Sequence, residues 1–264
     1  MADAASSGTA RAAPLGLARV LAVPAAMALL AWGWLALMIG DMAAVPGMAE
    51  MMMAPRTLTA GMLCGLFVMW SVMMAAMMLP TALPMILAYA RMQVRDRQEG
   101  AGWQSVAAFA LGYVIVWTGF SLAAAALQAV LTALELMSPV MMKASAPVSG
   151  AILAGAGLYQ FLPFKRACLG LCRSPLGFLM TRWRPGAGGA LRMGLSHGGH
   201  CVGCCWAMMA VLFAVGVMNT AWIAGLTALV LLEKLAGRSR PVSQAIGTGL
   251  AGLGLWILWS ASGL

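Results

Sequence analysis

Long, continuous runs of apolar residues alternate along the chain with short clusters of Arg, Lys, Gly and Pro. Within a run, polar and apolar positions do not alternate as they would in the roughly 10-residue strands of a transmembrane barrel. The runs instead approach the roughly 20 residues with which a helix crosses a bilayer. The pattern predicts an all-α, polytopic transmembrane helical bundle with seven spans: Leu17–Ile39, Ala60–Tyr89, Val106–Leu127, Val148–Leu162, His200–Val217, Thr220–Leu235 and Ala245–Ser262. The fourth, sixth and seventh are short, and the count is six if one of the seven does not cross. Residues 1–16, rich in Ala and Ser, read as a flexible cytoplasmic tail. Residues 17–264 read as a single membrane domain, with a Met-rich outer loop at 41–59 and a Cys-containing cytoplasmic loop at 163–199. The first run exceeds the roughly 7–15 apolar residues of a signal-peptide core, so it is expected to remain as an anchor.

Composition sharpens this picture. The 264 residues are 62% hydrophobic and only 9% charged, against about 25% charged in a soluble domain. Too few charges exist to cover a water-soluble surface. The net charge of +9 reads as topology. With the N-terminus in the cytoplasm, the inner segments hold Arg11, Arg19, Arg91, Arg95, Arg97, Lys165, Arg166, Arg173, Arg182, Arg184, Arg192, Lys234, Arg238 and Arg240, and the outer segments only Arg56 and Lys143. This asymmetry follows the positive-inside rule. It sets the expected sidedness of the bundle, with the lipid bilayer as the first partner. A nucleic-acid partner is not expected, because no soluble domain carries the charge.

The densest chemistry is S-H-G-G-H-C-V-G-C-C-W-A-M-M, from Ser196 to Met209. On a helix, His197, His200, Cys201, Cys204, Cys205 and Met208 share a face about 140° wide at 100° per residue. Imidazoles and thiolates on one face suit a soft or borderline metal, Cu(I) first and Zn(II) as the alternative. Gly198 and Gly199 could equally make a turn that swings His197 back over Cys201. The predicted topology sets the cluster at the cytoplasmic mouth of the fifth span. That compartment is reducing, which disfavours a structural disulfide. Just upstream, Cys168 and Cys172 stand at i and i+4 on an expected interfacial helix stopped by Pro175. Lys165, Arg166 and Arg173 flank them and are expected to favour the thiolate.

Methionine is the second soft ligand, with 24 in the chain. The outer loop carries Met42, Met48, Met51, Met52 and Met53. In the second span Met69, Met73 and Met77 form a stripe with Met62, and Met74, Met78 and Met85 form the next. Thioethers select Cu(I) over hard cations, and they also pack cores adaptably. Pro80 and Pro84 free the carbonyls of Ala76 and Pro80. The second span thus offers Met69, Met73 and Met77 as an ion path. Glu233 near the inner end of the sixth span is expected to pair with an Arg or face the cluster, with Lys234 snorkelling beside it. No Ser/His/Asp or paired-carboxylate arrangement and no nucleotide-binding loop is visible. Catalysis is therefore not the expected role.

The block from Tyr159 through K-R-A-C-L-G-L-C-R-S-P, then H-G-G-H-C-V-G-C-C-W-A-M-M, G-V-M-N from Gly216 and E-K at Glu233, together with W-S-V-M-M-A-A-M-M-L-P from Trp70, resembles a bacterial family of predicted metal-binding integral membrane proteins. That family is a domain of unknown function, some of whose members are labelled copper chaperones by inference. The resemblance implies metal binding through Cys168, Cys172, Cys201, Cys204 and Cys205. His200 stands where the family pattern has an aromatic residue. The Met-rich span is also similar in chemistry, though not in fold, to the M-x-x-x-M path of Ctr-type copper importers. The leading expectation is a Cu(I)-binding membrane protein acting in copper transport, delivery or metal loading, with a metallochaperone or membrane-complex subunits as partners. The alternatives are a membrane thiol oxidoreductase using Cys201, Cys204 and Cys205, and a structural subunit with a Zn(II) site.

Overall fold

The computed structural model describes residues 60–95, 102–138, 142–236 and 239–262, with isolated helical positions between 26 and 37. The expected tail, the first span Leu17–Ile39 and the Met-rich loop 41–59 lie wholly or largely outside the described residues. The described chain is helical: α1 (Ala60–Arg95), α2 (Gly102–Ala133), α3 (Ala146–Tyr159), α4 (Pro163–Arg173), α5 (Pro175–Arg182), α6 (Gly186–Val215), α7 (Thr220–Leu235) and α8 (Ser239–Ala261). A two-residue antiparallel ladder, β1 (Met137–Ser138) with β2 (Lys143–Ala144), ties the α2–α3 connection. Glu135 lies in the turn there with φ of 59°.

Within α1, α2, α6 and α8, segments of 34, 31, 30 and 22 residues are long and apolar enough to cross a membrane. At 1.5 Å per residue these reach or exceed the roughly 30 Å hydrocarbon thickness. Helix α3 is apolar but has only 14 residues, and α7 has 16.

Helix α1 passes through Pro80 and Pro84 without interruption. Pro80 lacks the N–H that would bond the Ala76 carbonyl, and the Trp32 indole donates to that carbonyl instead at 3.0 Å. Methionines fill the interior side of α1, where Met73, Met74 and Met77 have no exposed surface.

Helix α6 is the centre of the bundle, and it starts at Gly186, well before the expected His200. The segment 163–199 is therefore two short helices and the first turns of α6 rather than a loop. Gly198 and Gly199 do not form a turn; they are helical residues. A side chain on Gly194 would collide with the Phe109 backbone of α2, and one on Gly198 would meet Val116 at 2.9 Å. These glycines let α6 and α2 approach, as small residues do between membrane helices. The tight packing outweighs the roughly 1 kcal/mol by which Gly disfavours a helix.

The end of α1, helices α4 and α5, and the end of α7 meet at one end of the bundle. Tyr89 packs on Trp183 at 5.5 Å, and the Arg173 guanidinium donates to the Ala236 carbonyl. Lys165 forms an ion pair with Glu233 at 2.6 Å, both buried.

Candidate metal centre

Because α6 is continuous, Cys201, Cys204 and Cys205 are presented midway along it, on the side facing α1, α2 and α4. Their sulfur atoms all lie within 4.8 Å of one another. All three thiols are buried and free. The Cys204 and Cys205 thiols donate back to the Cys201 carbonyl at 3.1 and 3.0 Å, which turns both sulfurs toward the same side. The cluster thus lies inside the bundle and not at its mouth, a consequence of the earlier start of α6.

Four other helices reach it. The Tyr113 hydroxyl on α2 lies 3.2 Å from Cys201 Sγ and bonds the Met78 carbonyl at 3.1 Å. Lys234 at the end of α7 donates to Cys201 Sγ at 3.2 Å and to Thr81 Oγ1 at 2.8 Å. It does not snorkel to the surface; the ammonium is turned into the bundle. Glu233 is spoken for by Lys165 and by Ser243, whose hydroxyl donates at 2.7 Å. On α1, Met78 Sδ lies 4.0 Å from Cys205 Sγ.

The α4 pair approaches from the bundle end. Cys172 is within hydrogen-bonding reach of Cys201 and Cys204. Cys168 packs flat on α6, where a side chain on Gly203 would meet its sulfur at 2.9 Å. The flanking basic residues do not favour the thiolate here. Hydrogen bonds to Cys201 and Cys204, with burial, hold the Cys172 thiol well above its ordinary pKa, and burial with the nearby Cys204 raises that of Cys168. Their expected cations are committed elsewhere: Lys165 to Glu233 and Arg173 to a carbonyl.

His197 is one turn before Cys201 and nearly inaccessible. It is held between the rings of Tyr113 and Phe109, with centroids at 5.5 and 6.0 Å, and edge-on to Phe178 at 5.6 Å. Neither ring nitrogen has a hydrogen-bond partner. An unsatisfied buried polar group costs about 1–3 kcal/mol, and this imidazole stands unpartnered among the described residues, in an aromatic sleeve one turn from Cys201. His200 is not brought into the cluster. Its Nδ1 engages the Ser196 carbonyl of its own helix at 2.5 Å. Met208 is also engaged elsewhere, its sulfur accepting from Gln160 at 2.9 Å. Met69, Met73 and Met77 are buried in the core. The sulfur that reaches the thiols from α1 is that of Met78 on the adjacent stripe, and Tyr113, Thr81 and Lys234 complete the surroundings. Sequence spacing pointed to none of these four as site residues, because each comes from a different helix than the cluster.

Among the described residues, four helices long and apolar enough to cross a membrane and three converging buried thiols are compatible with a membrane protein that binds a metal. The sequence model of a family described as PpoB2, copper chaperone, matches residues 67–257, and the chain belongs to that family. The match takes in α2 to α7 and most of α1 and α8, including every residue of the centre. No curated protein and no solved structure shows significant similarity to the chain.

Proposed function

We propose that the protein binds Cu(I) at Cys201, Cys204 and Cys205 within the bacterial inner membrane and delivers it, as a membrane-embedded chaperone or transporter, to a metallochaperone or membrane-complex partner. The observation that carries this reading is the convergence of three buried thiols within 4.8 Å. Thiolates in a dry site select Cu(I) over harder ions. Three thiolates would place excess negative charge in the interior, and the Lys234 ammonium at 3.2 Å from Cys201 offsets part of it. The orphaned His197 and the nearby Cys172 supply reserve donors. The proposed orientation has seven spans and the N-terminus inside, which is supported by the distribution of basic residues.

Metal analysis of the purified chain tests the reading. About one copper per chain, lost on Cys201→Ser with Cys204→Ser, is the expected result. Zinc in place of copper would favour a structural site that ties α4 to α6 through Cys172. A metal-free protein with a disulfide among the three cysteines would favour thiol oxidoreductase chemistry.

A further inference from the structure

We infer that Met78 is a direct ligand of the same centre, which makes it a site of three thiolates and one thioether. The inference rests on the copper reading above and adds the fourth donor. Two donors bound to one ion at about 2.3 Å in tetrahedral geometry stand about 3.8 Å apart. The separation of Met78 Sδ from Cys205 Sγ is 4.0 Å, and the three thiols already lie within 4.8 Å of each other. Met78 Sδ is thus at about the spacing from Cys205 Sγ that two donors to one ion would have, beside a trio of thiols that already converge.

The position of Met78 is also fixed from outside itself. Tyr113 holds its carbonyl at 3.1 Å and Cys201 Sγ at 3.2 Å with the same hydroxyl. This one residue of α2 therefore sets the distance between α1 and α6 at the centre. Thr81 bonds the same carbonyl at 2.9 Å, and Lys234 bridges Thr81 to Cys201. The turn that carries Met78 is in this way tied twice to Cys201, one turn before the Cys205 thiol that the Met78 sulfur faces. Among the described residues no such tie holds Met73 or Met77. Beside Met78 a cleft of about 20 Å³ opens between α1 and α2, lined by Met74, Met78, Tyr113 and Trp117 among others. A neutral fourth donor suits a centre that must release its ion, since a thioether binds Cu(I) without adding charge. On binding, each participating thiol releases its proton to the medium and copper remains Cu(I) throughout.

Selenomethionine-labelled full-length protein in lipid nanodiscs, loaded with one equivalent of Cu(I), gives the test by copper-edge X-ray absorption. The expected spectrum contains a sulfur shell and a copper–selenium shell. The selenium shell disappears in Met78→Leu and persists in the control Met73→Leu with Met77→Leu. Cu(I) affinity by chelator competition is expected to fall at least tenfold in Met78→Leu alone. A sulfur-only spectrum from the labelled wild-type chain overturns the inference while leaving the thiol site intact, and it needs no variant to fold. Failure of the wild-type chain to take up Cu(I) overturns the copper reading itself, and the inference with it. A selenium shell that survives Met78→Leu assigns the thioether to another methionine and equally refutes it.

Discussion

Lys234 is the residue whose surroundings sequence spacing reads least well. An ammonium near a helix end ordinarily extends to the interface, and Glu233 beside it is expected to pair with an Arg or face the cluster. In the fold the two neighbours point to different partners, Glu233 to Lys165 and Lys234 to Cys201. Replacing Lys234 with Met keeps bulk and removes the charge. A hydrogen bond to a charged group contributes about 1.5–3 kcal/mol, so Cu(I) affinity should weaken roughly ten- to hundredfold in chelator competition. An unchanged affinity in a folded variant would remove Lys234 from the account. Cys201→Ser or Cys204→Ser should cost far more affinity than Met73→Leu, whose thioether is packed in the core. The thiol trio and His197 were legible because all four lie on one stretch of one helix, where spacing alone sets the face. Met78, Tyr113 and Thr81 were not, because they meet the trio only through tertiary packing, with Met78 127 residues from its Cys205 contact.

At the scale of elements, and among the described residues, apolar runs located α1, α2, α3, α7 and α8 to within about six residues at each end, with Thr220–Leu235 matching α7 at both ends. The exception is α6. Its first half is rich in Gly and Ala and carries Arg192, which reads as a connection. Only the fit of Gly194 and Gly198 against α2 shows it to be helix. Gly194→Ala should therefore reduce the thermal stability of the detergent-solubilised protein strongly, whereas Gly199→Ala, with open space around it, should not. If the two variants melt alike, helix propensity and not close approach governs this stretch. The α4–α7 junction makes a sharper case. Lys165→Met leaves Glu233 charged and buried without its partner, a loss of about 3–5 kcal/mol. Adding Glu233→Leu should restore most of that stability. Thermal unfolding of the single and double variants measures it, and a double variant as unstable as the single would show that the pair is not the unit.

For the molecule as a whole, the four long apolar helices among the described residues are compatible with a membrane-embedded bundle, and the proposed sidedness rests on the distribution of basic residues. A reporter fused after Leu264 should be active only if it functions outside the cytoplasm, given an odd number of spans and an inner N-terminus. Activity of a cytoplasmic reporter at that position would reduce the count to an even number. The bundle also explains why a chain with so many soft ligands has one centre among its described residues: most of the methionines on α1 are core, and the thiols of α4 and α6 converge only because both helices pack on the same interior volume.

The central claim, that the thiols of α6 hold Cu(I), is tested most directly by titrating the purified protein with Cu(I) against a chelator of known affinity. Wild-type protein and the Cys201→Ser, Cys204→Ser double variant would be run side by side. The account predicts one tight equivalent in the wild type that is absent in the double variant, with both proteins folded to the same helical content. Equal Cu(I) binding by the two would contradict it.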